Sequence, residues 1–372
     1  MRGTGSGAGG ANLLALRSHN AALVLDLLRT AGADGISRLE LAERTGLTPQ
    51  AVSKITARLR EDGLAAEAGR RASTGGKPRT VLRLVPEAGH AVGVHLDRDE
   101  VRAVLVDLRG TVVGERRAPL DLGAGARAVL AAVTEAVRET VAGVLPAGPL
   151  TRAGSLLGAG VALPGPLDHA RGVLHRVTGF PEWDGFPLRE ALAERLGVPV
   201  VVDKDTNAAA LGLAAGGEGG SFAYLHLGTG LGAGLVIGGT VHRGARTGAG
   251  EFGHQVIQLD GPPCTCGDRG CVEALCLGAV ARGDTAEAAR VLGAGAANLV
   301  SLLDIDVVLL GGRTVATAPE AFVRGVGTVL EAWARRTGQE AVPVRVAAGG
   351  GRVVAVGAAQ MVLGPVFGRG GG

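Results

Sequence analysis

Three cysteines and one histidine lie close together in the second half of the chain and have the side chains to share a metal ion. His254 precedes Cys264, Cys266 and Cys271 within the segment GEFGHQVIQLDGPPCTCGDRGC. Thiolates and imidazole are ligands of tetrahedral zinc, and soft sulfur ligands disfavour magnesium and calcium. Four protein ligands leave no coordination position for water, so the spacing predicts a structural zinc site. Read singly, His254 fits an ordinary core or surface residue, and Cys276 is expected to be buried packing.

Polar side chains are expected on one exposed face of a helix that begins after Thr48. Gln50, Ser53 and Lys54 lie near the start of this helix, and Arg58 lies one turn further on. In the major groove of DNA, amides and hydroxyls hydrogen-bond base edges, and cations contact both bases and phosphates. We therefore predict that these four residues and Thr48 bind DNA.

A basic hairpin is expected directly after this helix. Two short strands within AEAGRRASTGGKPRTVLRL flank a glycine turn, and glycine lets the backbone approach a groove closely. The cations beside the turn can neutralise phosphates or enter the minor groove. The hairpin carries Arg70, and the DNA contacts predicted on it are Arg71, Gly75, Gly76, Lys77 and Arg79.

The surrounding helical signals follow the order of a winged helix-turn-helix. Ser37 and Glu40 have the spacing of a capping box at the start of a second helix, which Gly46 is expected to end. A helical hairpin used for protein contacts, with solvated cations, is the alternative. The apolar residues expected to face inward are Leu23, Val24, Leu27 and Leu28 in a first helix and Val52, Ile55 and Leu59 in the third.

Length and charge divide the chain into unlike parts. The 372 residues exceed a single small domain, and the hydrophobic content of 46% is sufficient for buried cores. Residues 1–86 hold 13 Lys or Arg against 7 Asp or Glu, whereas residues 87–372 hold 25 against 28. This asymmetry favours a polyanion partner for the first part. No secretory signal or long apolar run is evident, which predicts a cytoplasmic protein without membrane contact.

The predicted boundaries follow from composition and periodicity. Residues 1–11 and 366–372 are glycine-rich and are expected to be disordered ends. Residues 12–86 form the predicted DNA-binding domain, and residues 87–365 form a second domain of the α/β class. In this second domain, apolar strands alternate with helical stretches at 124–144, 187–196, 205–215, 272–303 and 317–336.

The combination of motifs resembles the ROK family of repressors, open reading frames and sugar kinases. It comprises the helix-turn-helix, the PGP loop at 164–166, the run GTGLGAGLVIGG and the His/Cys cluster. The resemblance covers nearly the whole chain. It implies a two-lobed, actin-like sugar kinase fold around a sugar cleft, with zinc at the cysteine cluster.

The resemblance also implies a test for kinase activity. Asp205 matches the family's catalytic base, but Lys204 replaces the asparagine that usually precedes it. Such a cation changes the hydrogen bonds of the pocket and favours an acidic or phosphorylated ligand. Sugar kinases of this family have a sequence similar to DxGGT after the first strand of the domain. This chain has HLDRDEV there, and its carboxylates would repel phosphate oxygens. We therefore predict no enzyme activity and a vestigial Asp205. The glycine run at 228–234 is either a second phosphate loop or a strand turn.

The sugar side of the predicted cleft is better preserved. Glu251, His254 and Glu273 match family positions that hold sugar hydroxyls, and Lys204 and Asp205 complete the predicted effector site. Carboxylates accept hydrogen bonds from adjacent hydroxyls. The alternative for Glu273 is a carboxylate that stabilises a helix start.

These features together predict a transcriptional repressor. Its operator would be double-stranded DNA, and its effector a sugar, oligosaccharide or sugar phosphate. Paired half-sites predict a homodimer or homotetramer. The alternatives are an ATP-dependent sugar kinase with a winged helix extension, and an activator or regulator that senses no small molecule.

Overall fold

The computed structural model describes residues 19–71, 79–146, 148–150, 154–175, 177 and 180–369, although not the side chains of Arg70 and Arg71. The first part is a small helical head with a three-stranded antiparallel sheet in the order β1-β3-β2. Its elements are α1 His19–Thr30, β1 Ile36–Ser37, α2 Arg38–Thr45, α3 Pro49–Glu61, β2 Ala65–Arg71 and β3 Arg79–Leu84.

Local hydrogen bonds explain where the helices of the head begin. The backbone N–H of Glu40 donates to Ser37 Oγ at 3.3 Å, and the N–H of Ser37 donates to Glu40 Oε2 at 2.8 Å. This confirms the predicted capping box. Thr48 Oγ1 accepts from the N–H of Ala51 at 3.2 Å, so α3 starts where the sequence predicts. Gly46 ends α2 with a φ of +69°, a left-handed conformation that favours glycine.

The next part of the chain forms the first lobe of an α/β domain. Its five-stranded sheet has the order β10-β7-β4-β5-β6, with β4 parallel to β7 and antiparallel to β5. Helices α4 and α5 cover one face of this sheet. The elements are β4 His90–Leu96, β5 Glu100–Asp107, β6 Val112–Pro119, α4 Ala126–Ala142, β7 Leu156–Leu163, β8 Leu167–Asp168, β9 Val173–Leu174, α5 Leu188–Leu196 and β10 Val200–Lys204.

The second lobe repeats this plan with a five-stranded sheet in the order β13-β12-β11-β14-β15. Helices α7, α8 and α10 pack on its outer face. The predicted helix 272–303 is wrong as a single element, because a turn separates α7 from α8 and Asp284 caps α8 by accepting from Glu287 N–H. The elements are α6 Asp205–Ala215, β11 Phe222–Leu227, β12 Leu231–Ile237, β13 Thr240–Val241, α7 Val272–Ala281, α8 Thr285–Leu303, β14 Val307–Gly311, α9 Arg313–Thr317, α10 Pro319–Thr337, β15 Val344–Val346 and α11 Val353–Leu363.

Two helices form the centre of the two-lobed domain. Helix α11 packs on β4 and β7 of the first sheet, α6 packs on β11 and β12 of the second, and the two helices pack against each other. Glycines allow this close approach: a Cβ on Gly357 would lie 1.8 Å from Ala208 O, and one on Gly160 would lie 1.9 Å from Ala358 O. The segment Gly350–Phe367 is long and apolar enough to span a membrane, but half of it is buried inside the protein as this core helix.

The C-terminal segment packs against the head. The prediction that residues 366–372 are disordered is wrong for Val366 and Phe367, which are buried in a short 3₁₀ helix that contacts α1. The guanidinium of Arg29 lies 5.2 Å from the Phe367 ring centroid, and Arg369 bonds Asp26 at 3.1 Å. Glycine-rich composition conceals these long-range contacts. The predicted disordered residues 1–11 and the last three residues lie outside the described ranges.

Candidate functional site

A cleft of about 90 Å³ lies between the two lobes. The structure brings all five predicted effector residues to its wall: Lys204, Asp205, Glu251, His254 and Glu273. They come from the end of β10, the start of α6, the loop after β13 and the start of α7. Residues separated by up to 69 positions therefore share one site.

Asp205 occupies the first position of α6, and its Oδ1 accepts from the backbone N–H of Thr206 at 2.6 Å. This bond orients the carboxylate at a helix N-terminus, where negative charge is favoured. The second oxygen, Oδ2, has the chemistry to accept a hydroxyl proton or a hydrogen bond from a bound polyol.

Lys204 is buried, with 3% of its side chain exposed, and its charge is already matched by protein groups. Its Nζ donates to Ala249 O at 2.6 Å and to Glu251 Oε1 at 3.0 Å. The stem of the side chain lies against Gly165, where an added Cβ would be 2.7 Å from Lys204 Cδ. The expectation that Lys204 favours an acidic ligand took no account of this ion pair, which removes much of the positive potential from the cleft.

Glu273 is placed where both interpretations considered for it stay open. It lies in the first turn of α7, and its Oε2 accepts from the N–H of Leu231 at 2.7 Å. The same carboxylate lines the cleft, so Oε1 can face a ligand while Oε2 holds the start of β12.

The four predicted zinc ligands form one cluster. One ligand atom from each of His254, Cys264, Cys266 and Cys271 lies within 4.8 Å of the others. Cys266 Sγ and Cys271 Sγ are 3.7 Å apart, and Cys264 Sγ is 3.7 Å from His254 Nδ1. Two thiolates on a tetrahedral zinc lie about 3.8 Å apart when each Zn–S bond is ~2.3 Å, so the donor set and its spacing fit this metal.

Cys276 has a separate role in packing. Its thiol is buried and donates to Ala288 O at 3.4 Å, which joins α7 to α8. Burial raises the pKa of this thiol to about 12. It therefore stays protonated at neutral pH, which matches the expected role in packing.

The loop between β4 and β5 is held by the second lobe. Arg313 at the start of α9 donates to both carboxylate oxygens of Asp99, at 2.8 and 2.6 Å, and to Asp97 Oδ2 at 2.6 Å. These hydrogen bonds hold the pKa of Asp99 below its usual range. Gly228, Thr229 and Gly230 form the turn between antiparallel β11 and β12, so the glycine run is at least a strand turn.

Sequence reasoning missed three aromatic side chains, Tyr224, His226 and His95, which line a second cavity beside the cleft. His226 also lines the cleft itself. Tyr224 OH and His226 Nδ1 are 2.9 Å apart, and the ring centroids of His226 and His95 are 6.3 Å apart. Burial lowers the pKa of His95, which keeps this imidazole neutral near pH 7. Alternation within HLDRDEV and FAYLHLG was the available signal, since it places these polar residues on strands that end at the cleft.

The predicted DNA-contacting face of α3 is open to solvent. Thr48, Gln50, Ser53, Lys54 and Arg58 are all exposed, while Val52 and Leu59 are buried on the opposite face. Arg58 pairs loosely with Asp62 at 3.7 Å. Arg79 is exposed at the start of β3. Gly75, Gly76 and Lys77, and the side chains of Arg70 and Arg71, lie outside what the structure describes.

A winged helix-turn-helix head joined to two α/β lobes around a carboxylate-lined cleft defines a protein of the sugar kinase-like fold with a DNA-binding motif. A family model described as ROK family matches residues 91–282, and one described as winged helix-turn-helix DNA-binding matches residues 24–65. The first match covers more than half of the chain. The chain belongs to the ROK family.

Curated relatives include both xylose and amino-sugar regulators. The chain is 31% identical to the xylose repressor of Caldicellulosiruptor bescii, over 64% of this chain and 59% of the relative. It is also 31% identical to the DNA-binding transcriptional dual regulator NagC of Escherichia coli, over 71% of this chain and 64% of that protein. The matched segments thus span about three fifths of these relatives' lengths.

Solved structures agree on the fold. The ROK hexokinase from Thermus thermophilus is 32% identical, with a TM-score of 0.58 over 73% of this chain and 96% of that one. A ROK family transcriptional regulator, a homologue of the E. coli MLC protein, has a TM-score of 0.74 over 95% of this chain and 98% of that one. Its identity of 21% supports the fold alone.

Proposed function

We propose that the protein is a DNA-binding transcriptional repressor whose operator binding is modulated by a sugar. The observation that carries this proposal is the exposed polar face of α3, on a head whose core is continuous with that of the cleft domain. The named xylose and N-acetylglucosamine repressors among its relatives support the same reading. Operator binding places the protein in the cytoplasm with the chromosome.

The chemistry of the cleft supports a neutral monosaccharide as effector. Asp205, Glu251 and Glu273 supply carboxylate oxygens that accept from vicinal hydroxyls, while Lys204 is paired with Glu251. A sugar phosphate would be repelled by these three carboxylates, because the positive charge of Lys204 is already paired with Glu251.

We propose zinc as a structural cofactor. His254, Cys264, Cys266 and Cys271 would hold it, and it would supply cross-linking of the loop that joins β13 to α7. His254 would direct Nδ1 to the metal and leave Nε2 on the side of its ring away from the cysteines. The residue also lines the cleft, so the metal loop and a bound sugar share a side chain.

Modulation of DNA binding by a sugar requires that the sugar bind the DNA-competent and DNA-incompetent arrangements with different affinities. Helix α6 begins at Asp205 and packs on α11, and the segment after α11 packs on α1 of the head. A shift at the cleft therefore has a packed route to the head. Two heads in a homodimer or homotetramer would read paired half-sites.

The sugar kinase alternative is favoured by one observation, the carboxylate of Asp205 at the cleft. The contacts of Asp97 and Asp99 with Arg313 favour regulation, because carboxylates line the loop where a kinase needs phosphate-binding amides. A coupled assay with glucose, xylose and amino sugars distinguishes the two. Turnover that is lost in Asp205→Asn would replace the repressor proposal.

The decisive experiment selects bound DNA from a random pool at low salt and then competes with single sugars. We expect an operator with two half-sites, and release by one neutral monosaccharide. Lys54→Ala should weaken binding to all sequences, and Gln50→Ala should relax preference at one base pair. Arg336→Ala, which removes an exposed cation on α10 of the second lobe, is the matched control. Failure to select any sequence would refute the proposal.

A further inference from the structure

One arginine joins the two lobes beside the cleft. Arg313 follows β14 in the second lobe, whereas Asp97 and Asp99 lie in the β4–β5 turn of the first. The guanidinium makes three hydrogen bonds of 2.6 to 2.8 Å to these carboxylates, across more than 210 positions in the sequence. A planar guanidinium that donates to both oxygens of one carboxylate fixes both distance and orientation.

A second set of contacts strengthens this connection. Thr229 Oγ1 donates to the other oxygen of Asp97, Oδ1, at 3.2 Å, and Thr314 Oγ1 donates to Gly228 O at 3.2 Å. The two second-lobe turns are therefore bonded to each other, and each contributes a residue that grips Asp97. We call Arg313, Asp97, Asp99 and Thr229 the clasp.

The clasp also forms part of the cleft wall. Asp97 and Thr229 line the cleft directly, beside Asp205. Arg313 lines a second cavity of about 190 Å³ on the other side of Asp97, together with His95 and His226. Separation of the two lobes would pull Asp97 away from Thr229 and open the cleft between them.

We propose that the clasp closes the lobes of this protein in place of a bound ligand at the β4–β5 turn, and that it governs how long the cleft retains its effector. The charges are supplied by the chain itself, so closure needs no nucleotide. Arg313 is 45% exposed and Asp99 is 60% exposed, so dissolved salt can screen the pair. Closure should therefore weaken as ionic strength rises.

The first test measures hydrogen exchange of backbone amides in residues 97–101 and 228–231 by mass spectrometry, on the full chain without ligand. Arg313→Gln should accelerate exchange in both segments by about threefold to tenfold, and 0.5 M NaCl should accelerate it in the unmodified protein. Arg313→Lys keeps a cation beside both Asp97 and Asp99 but loses the planar fork, so its exchange should lie between that of the unmodified protein and that of Arg313→Gln. Arg324→Gln, which removes an exposed ion pair to Glu320 on α10, is the matched control.

The second test measures retention of glucose, xylose and N-acetylglucosamine by stopped-flow dissociation, and it rests on the proposed function. Arg313→Gln should speed release of whichever sugar binds, and Arg313→Lys should speed it less. Unchanged exchange in Arg313→Gln would overturn the proposal, as would exchange in Arg313→Lys as fast as in Arg313→Gln. If none of these sugars binds the unmodified protein, the effector proposal fails, while the exchange result still decides on the clasp.

Discussion

Gly357 offers a direct test of the central packing between α6 and α11. A Cβ built on this residue lies 1.8 Å from the carbonyl oxygen of Ala208, whereas ordinary contacts begin near 3.4 Å. Gly357→Ala must therefore separate the two helices by roughly 1.6 Å or distort one of them. Overpacking of this kind typically costs about 1–3 kcal/mol, and the backbone oxygen cannot rotate away as a side chain would.

Gly327 in α10 provides the matched control, since a Cβ there would meet no atom within 4 Å. Gly327→Ala should leave stability unchanged or raise it by about 0.4–1 kcal/mol, because alanine restricts the unfolded chain. Both variants replace glycine by alanine within a helix. A difference in the sign of their changes in unfolding free energy can therefore be attributed to packing.

Urea unfolding followed by circular dichroism measures both variants. We expect the midpoint of Gly357→Ala to fall and that of Gly327→Ala to hold or rise, with similar slopes. If Gly357→Ala were as stable as the unmodified protein, the close approach of α6 and α11 would be refuted.

Three further predictions concern the metal, the buried lysine and the C-terminal contact. Cys266→Ser should abolish zinc in elemental analysis of the purified protein and lower its melting temperature, whereas Cys276→Ser should keep the metal. Lys204→Asn removes the ion-pair partner of Glu251. The Glu251 side chain is 45% exposed and can be hydrated, so we expect the variant to stay soluble. Calorimetry should show a changed order of affinities among the sugars. Phe367→Ala should lower the local stability of the contact between the C-terminal segment and α1 by about 3–5 kcal/mol. We expect this loss to appear as faster hydrogen exchange in α1. Unchanged exchange in α1 would show that this contact does not hold the head.

Local signals explain what the sequence predicted well. Ser37 and Glu40 lie three residues apart and bond each other, so their motif needs no knowledge of the fold. The metal ligands also lie within 18 consecutive residues. The structure of such motifs is determined by residues that are close together in the sequence, so it can be predicted without the fold.

Partners distant in sequence were not predictable from pattern. Lys204 and Glu251 are separated by 47 positions, and Asp99 and Arg313 by 214, so Lys204 and the carboxylates of HLDRDEV were interpreted without their counter-ions. The buried Phe367 was hidden by neighbouring glycines, because its contacts come from α1 at the other end of the chain. Charge and composition describe a residue, but its role depends on what the fold brings beside it.

The position of α11 has a consequence for biosynthesis. This helix covers β4 and β7, packs on α6, and shares a core with the head, yet residues 353–363 leave the ribosome after almost all of their partners. The sheet of the first lobe must therefore wait with an uncovered apolar face until translation of this segment is complete. Shortened products would expose that face, which makes them targets for chaperones and proteases rather than partly active regulators.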